Sequence, residues 1–206
     1  GIIIANPNAP TGLLLELNEI EEIIKNNLNN IVIIDEAYID FGGESAIKLI
    51  NKYNNLLVIQ TFSKSRSLAG MRLGFAIGNK ELIKGLKNIK FSFNSYTINR
   101  LSILAGIEAF KDEEYFKKSV SKIIITREKT KEELKKLGFK VLDSKSNFLF
   151  ISHNKIFGEN IYLKLKEKGI LVRYFKKEII NNFIRVTIGT DKEMIIFINA
   201  LKEIIN

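Results

Sequence analysis

Ile31-Val32-Ile33-Ile34-Asp35 is a continuous β-branched run that stops abruptly at a carboxylate. An unbroken run of this kind, with no alternation of polar residues, reads as a strand buried on both faces, as in a parallel sheet. The same pattern recurs on either side. Residues 2–5 form a short apolar run that stops at Asn6-Pro7-Asn8, and residues 56–60 form another that leads to Ser63-Lys64. Residues 73–77 read as a further buried strand after Arg72. Between these runs lie helix signals. Asn18 is a good N-cap, with Glu19, Glu21 and Glu22 in the first turn behind it, and Ser45 can cap a short helix to Tyr53. Strands separated by helices predict an α/β fold with a mostly parallel sheet and helices on both faces.

The rhythm changes further along. Residues 80–136 are helical in pattern, and residues 113–136 read as one long charged helix with a solvated face. Strands follow at 139–142, 147–151, 170–172 and 183–188, with helices at 156–168 and 191–205. That order suits a small α+β domain. The expected division is residues 1–112 as part of a large domain and 113–206 as a small carboxyl-terminal one. No internal repeat or low-complexity linker is visible.

Composition narrows the class. The 206 residues are 46% hydrophobic and 27% charged, as in globular proteins with a real core. There is no cysteine, which excludes disulfides and thiolate metal sites, and the single histidine, His153, excludes a multi-histidine metal centre. His153 sits in Ser152-His153-Asn154 and is read as a surface turn residue. No apolar run approaches the ~18 residues needed to span a bilayer, and no signal peptide is recognisable, so a cytoplasmic protein without membrane contact is expected. The net charge of +9 favours anionic partners, yet the lysines are scattered over helical segments. A solvated basic surface is therefore expected, with no nucleic-acid stripe. Gly1 opens directly into Ile2-Ile3-Ile4, which reads as a truncated chain.

Ligands of α/β sheets bind outside the carboxyl ends of the strands. Asn6, Asp35 and Ser63-Lys64 stand at three such ends, pointing an amide, a carboxylate and an amine at one crevice. Read singly, Asn6 and Asp35 are turn residues and Lys64 is a surface lysine. Read together, with Arg72 eight residues after Lys64, they form a constellation. Arg185 is a lone arginine inside the otherwise apolar Phe183-Ile184-Arg185-Val186-Thr187-Ile188.

At these residues the chain resembles fold-type I aminotransferases. Asn6-Pro7-Asn8-Ala9-Pro10-Thr11-Gly12 is similar to their NPxxPTG loop, and Asp35-Glu36-Ala37-Tyr38 to their DxxY segment. Thr61-Phe62-Ser63-Lys64 with Gly70-Met71-Arg72-Leu73-Gly74 is similar to their SKxxxxxGxRxG signature, and 29 residues separate Asp35 from Lys64 as the pattern requires. The resemblance implies a pyridoxal 5'-phosphate (PLP) enzyme. Lys64 would be the catalytic residue, bonding the cofactor covalently and then moving a proton between substrate and cofactor carbons. Asp35 would keep the pyridine nitrogen protonated by charge pairing. Asn6 and Tyr38 would hydrogen-bond the phenolic oxygen. Arg72, Thr61 and Ser63 would hold the phosphate, with Gly70 and Gly74 letting the backbone turn closely around it. Arg185 would grip the substrate α-carboxylate.

Asp35-Glu36-Ala37-Tyr38-Ile39-Asp40-Phe41, Leu68-Ala69-Gly70-Met71-Arg72 and Gly169-Ile170-Leu171-Val172-Arg173 narrow the resemblance to the histidinol-phosphate aminotransferases. It implies Arg173 near a substrate phosphate, Asn147 facing the active site, and a homodimer. The expected reaction passes an amino group between histidinol phosphate, an amino-alcohol phosphate, and the 2-oxo acid 2-oxoglutarate. Two alternatives stay open: a decarboxylase of the threonine-phosphate type on the same scaffold, and a non-catalytic aminotransferase-like domain. The matching family also has an amino-terminal half for which no counterpart is present in these residues.

Overall fold

The computed structural model describes residues 1–205 as two compact units, one comprising Gly1–Asn8 and Leu14–Ser119, the other Ala9–Leu13 and the described residues from Val120 onward. Among the described residues no helix is long and apolar enough to cross a membrane.

The first unit is built on a four-stranded sheet in the order β1 (Ile2–Ala5), β2 (Val32–Asp35), β3 (Leu56–Thr61) and β4 (Gly74–Gly78). β1, β2 and β3 run parallel, in a register that aligns Ala5, Asp35 and Ile59 in one row. β4 is antiparallel to β3, with Thr61 opposite Gly74, so the sheet is mostly parallel, as expected, with one antiparallel strand. The reason is the connection. Residues 62–73 fold as turns and one short 3-10 helix (Ala69–Met71), too short a crossover to return the chain to the far end of the sheet.

One sheet face carries the core. Val32, Ile34, Leu56 and Val58 pack against Ile20 and Ile24 of α1 (Leu17–Lys25) and against Ala46 and Leu49 of a short 3-10 helix. The opposite face leaves Ile3 and Ile59 exposed. The expected cap of α1 is corrected. Glu16 is the N-cap, exchanging hydrogen bonds with Glu19 in a reciprocal capping box, and Asn18 lies inside the helix. Ser45 does cap its segment, accepting from the Ile47 N–H, but only the single turn Ala46–Leu49 follows. α2 (Lys80–Phe93), α3 (Arg100–Lys111) and α4 (Glu113–Lys136) come next.

The second unit holds an antiparallel sheet ordered β5 (Phe139–Val141), β6 (Phe148–His153), β8 (Phe183–Thr187) and β7 (Arg173–Tyr174). α5 (Gly158–Glu167) and α6 (Asp191–Ile205) cover one face. Leu149, Ile151, Ile184 and Val186 meet Ile161, Leu165, Phe197 and Leu201 there. The strand expected at 170–172 lies instead at Arg173–Tyr174, because only those two residues pair with β8. His153 is corrected as well. It ends β6 only 8% exposed, with its ring 4.8 Å from that of Phe139.

The 9–13 segment docks into this second unit. Gly12 has φ +77°, a Cβ there would stand 2.8 Å from the Ser144 Cβ, and the Gly12 carbonyl accepts from the Lys145 N–H. Gly12→Ala combines left-handed strain with overpacking, so it should destabilise the chain by roughly 2–4 kcal/mol. A urea unfolding midpoint that matches the parent would contradict this.

Candidate active site

Parallel register is what assembles the site. Because Ala5, Asp35 and Ile59 share a row, the residues just beyond them emerge at one sheet edge. Residue 72 returns to the same edge, since Gly74 pairs with Thr61.

Asn6 is 1% exposed, and its amide grips the Leu15 backbone, donating to its carbonyl (3.0 Å) and accepting from its N–H (2.7 Å). The two peptide bonds Asn6–Pro7 and Ala9–Pro10 in this loop are cis. Asp35 is half-buried; its Oδ1 accepts from the Ala37 N–H, which turns the chain toward Tyr38. Lys64 carries its ammonium over the Tyr38 ring, 5.5 Å from the centroid. The Thr61 Oγ1 accepts from the Ser63 N–H (3.1 Å) and lies 2.9 Å from the Ser63 Oγ. Arg72 takes a left-handed conformation at φ 52°, and its Nη1 donates to the Ala69 carbonyl. For a non-glycine residue that backbone conformation is strained.

This edge therefore presents an amine, a carboxylate, a phenol, a pair of hydroxyls and a guanidinium. A ligand bearing an electrophilic carbonyl, a basic ring nitrogen and a phosphate would find a partner of suitable chemistry for each group. The glycines are assigned differently from expectation. A Cβ on Gly74 would approach the Gln60 carbonyl at 2.9 Å, so this glycine serves the β3–β4 pairing, and around Gly70 there is open space.

Glu36 was missed by sequence reasoning as a residue with a task. It is 2% exposed, and its carboxylate accepts from the Ala46 N–H (2.6 Å), the Ser45 hydroxyl (2.6 Å) and the Gln60 amide (2.8 Å). It ties the end of β2 to β3 and to the Ser45 turn, behind the residues that carry Asp35 and Tyr38. Burial is the largest influence on this carboxyl, raising its pKa above the ordinary 4.5, while the three donors pull the other way. A raised pKa means the folded state holds the proton longer than the unfolded one. The stabilisation is complete below the unfolded value and is lost as pH rises through the folded one. Glu36→Gln should remove that slope, so thermal midpoints of parent and variant should diverge as pH rises above 4.5. Parallel curves would show that Glu36 contributes no linkage.

In the second unit, Phe150, Arg185 and Arg173 form one cross-strand row, on the sheet face opposite α5 and α6. The Arg185 guanidinium lies 5.0 Å from the Phe148 ring centroid and 5.8 Å from that of Phe175, and Arg173 lies 5.5 Å from Phe175. Like charges directly opposite on neighbouring strands repel. Among the described residues, the buried Arg185 Nε has no hydrogen-bond partner. Asn147 is half-buried just before β6, and its carbonyl accepts from the Ile188 N–H. Arg127, read at first as part of a solvated helix, is 2% exposed and donates to the Ser146 carbonyl (2.8 Å), fixing the residue before Asn147. A charged side chain in a charged helix carries no local signal of such burial.

The chain is 75% identical, over its full length, to a histidinol-phosphate aminotransferase of Brachyspira hyodysenteriae, and spans 58% of that relative. The crystal structure of the histidinol-phosphate aminotransferase from Clostridium acetobutylicum superposes with a TM-score of 0.91 at 32% identity, covering 99% of this chain and 63% of that one. The Sinorhizobium meliloti histidinol-phosphate aminotransferase, solved in complex with pyridoxal-5'-phosphate, gives 0.88 at 25% identity over 98% and 56%. The profile of the class I and II aminotransferases matches residues 1–201, and the chain belongs to that family.

Proposed function

We propose that this chain carries the PLP-binding and substrate-binding residues of a histidinol-phosphate aminotransferase, which passes an amino group between histidinol phosphate and 2-oxoglutarate in histidine biosynthesis. The observation that carries the reading is the single sheet edge at which Asn6, Asp35, Tyr38, Ser63 and Lys64 converge. When bound, the cofactor supplies an electron sink for the substrate carbon. The chain's own residues do the rest. Lys64 would bond the cofactor and would carry the proton at its Nζ. Asp35 would pair with the ring nitrogen, and Asn6, whose amide has a second N–H to offer, would join Tyr38 at the phenolic oxygen. Thr61, Ser63 and Arg72 would hold the phosphate. Arg185 would take the α-carboxylate of 2-oxoglutarate or glutamate, Arg173 would take the phosphate of histidinol phosphate, and Asn147 would orient the substrate.

The orphaned Arg185 Nε and the facing Arg173 support a doubly anionic ligand. The exposed apolar residues of α2 and α3, among them Phe91, Leu101 and Leu104, support a homodimer. Cytoplasmic location follows from the pathway, and no nucleic-acid or membrane partner is invoked.

The direct test is to incubate the chain with PLP, reduce with borohydride and map the modified peptide. Label on Lys64 supports the reading. Label confined to exposed lysines, with none on Lys64 in the chain or in a full-length protein containing it, would sink it. Release of carbon dioxide from O-phosphothreonine, without amino transfer, would favour the decarboxylase instead.

A further inference from the structure

We infer that Arg66 is a positioning residue for Lys64, clamping the lysine-bearing turn onto the end of α3; this rests on the reading of Lys64 as the cofactor lysine. The turn is short and partly strained. Its backbone closes through Ser67 N–H to the Lys64 carbonyl (3.1 Å) and Leu68 N–H to the Phe62 carbonyl (2.9 Å), and Ser67 sits at φ 58°. Lys64 itself is exposed and lies over the Tyr38 ring in a cation–π contact, so its direction depends on its neighbours.

Two side chains supply that control. The buried Ser65 hydroxyl donates to Asp40. Arg66 reaches the other way. Its guanidinium carbon stands 3.6 Å from the Phe116 ring centroid and 5.3 Å from that of Phe110, and its Nη1 donates to the Ala109 carbonyl at 2.8 Å. Ala109 lies in the last turn of α3, where carbonyls lack partners within the helix and a cation is favoured. Arg66 therefore ties the turn to α3 by a cap and to the start of α4 by a stack. A planar, permanently charged group can do both at once, and a lysine cannot.

A cavity of about 410 Å3 adjoins the clamp, lined by Ser65, Arg66, Leu68, Ala109 and Phe116 among others. Loss of the guanidinium would open onto this space and remove the tie to the Ala109 carbonyl. The turn would loosen and Lys64 would sample more directions. The same cavity would admit a free guanidinium ion, which makes rescue a specific readout.

The experiment compares the parent chain, Arg66→Ala, Arg66→Lys and Phe116→Leu. In each, the rate of borohydride-fixed PLP incorporation at Lys64 is measured against that at exposed Lys122 in the same molecule. Misplacing a reacting group by a fraction of an ångström costs on the order of ten-fold, so Arg66→Ala should lower the ratio by about that factor. Arg66→Lys and Phe116→Leu should fall between, and added ethylguanidinium should partly restore Arg66→Ala. A ratio unchanged in a folded Arg66→Ala chain, or lowered without rescue, overturns the inference. If Arg66→Ala does not fold, Phe116→Leu decides in the same way. Failure of the cofactor reading has a different signature: Lys64 of the parent then labels no faster than Lys122. In that case acetic anhydride labelling without PLP still reports on the clamp, and equal Lys64 to Lys122 ratios in parent and variant overturn it.

Discussion

A Lys64→Ala chain is expected to keep its fold and to lose borohydride-fixed PLP at this position completely. The structural cost should be small. Lys64 is exposed and lies over the ring of Tyr38; substitutions at such positions shift stability by about 0.5 kcal/mol or less. The chemical cost should be total for cofactor attachment, since no other side chain at this edge offers an amine. Where amino transfer from glutamate is measured, the missing proton shuttle alone should lower the rate by roughly 100- to 10,000-fold. Added methylamine, which restores an amine without the tether, should return part of that loss. An unchanged rate would move the catalytic amine elsewhere.

The second large effect is expected at Arg185, with opposite signs for stability and function. Its Nε is buried and unpartnered, and Arg173 stands directly across the strand pair. A buried unsatisfied donor costs about 1–3 kcal/mol. Arg185→Met fills the same space between Phe148 and Phe175 without that donor or the like-charge pair. It should therefore stabilise the chain by about 1–2 kcal/mol, the lower part of that range, because the side chain is only partly buried. Binding should move the other way. Losing one partner of a hydrogen-bonded carboxylate typically costs about 2–5 kcal/mol, or roughly 30- to 5,000-fold in kcat/KM for glutamate. Thermal unfolding and steady-state kinetics measure the two halves separately. A variant that is less stable than the parent and equally active would show that Arg185 serves the fold instead of a substrate.

What was legible in the sequence was mainly local. The helices at Glu113–Lys136 and Asp191–Ile205 begin and end where pattern and charge place them, because periodicity and acidic first turns act within a few residues. The strand ends that carry Asn6, Asp35 and Lys64 were legible for the same reason: a β-branched run stops where a polar residue follows. Boundaries set by longer contacts shifted. β7 comprises only Arg173–Tyr174, since pairing with β8 defines it, and α1 begins after Glu16 because its capping box with Glu19 outcompetes a cap at Asn18.

The sequence by itself determined the two kinds of sheet, the order of the elements and the residue types gathered at one edge, all of which follow from short-range pattern. Tertiary structure alone decided the antiparallel turn-back of β4, the burial of Glu36 among three donors from two segments, and the burial of Arg127. It also decided the pairing of Arg173 with Arg185 and the seating of Arg66 on Phe116. Each of these depends on residues brought together from distant parts of the chain. Their partners are chosen by packing and hydrogen-bond satisfaction, and neither of those is written in the periodicity of a single segment.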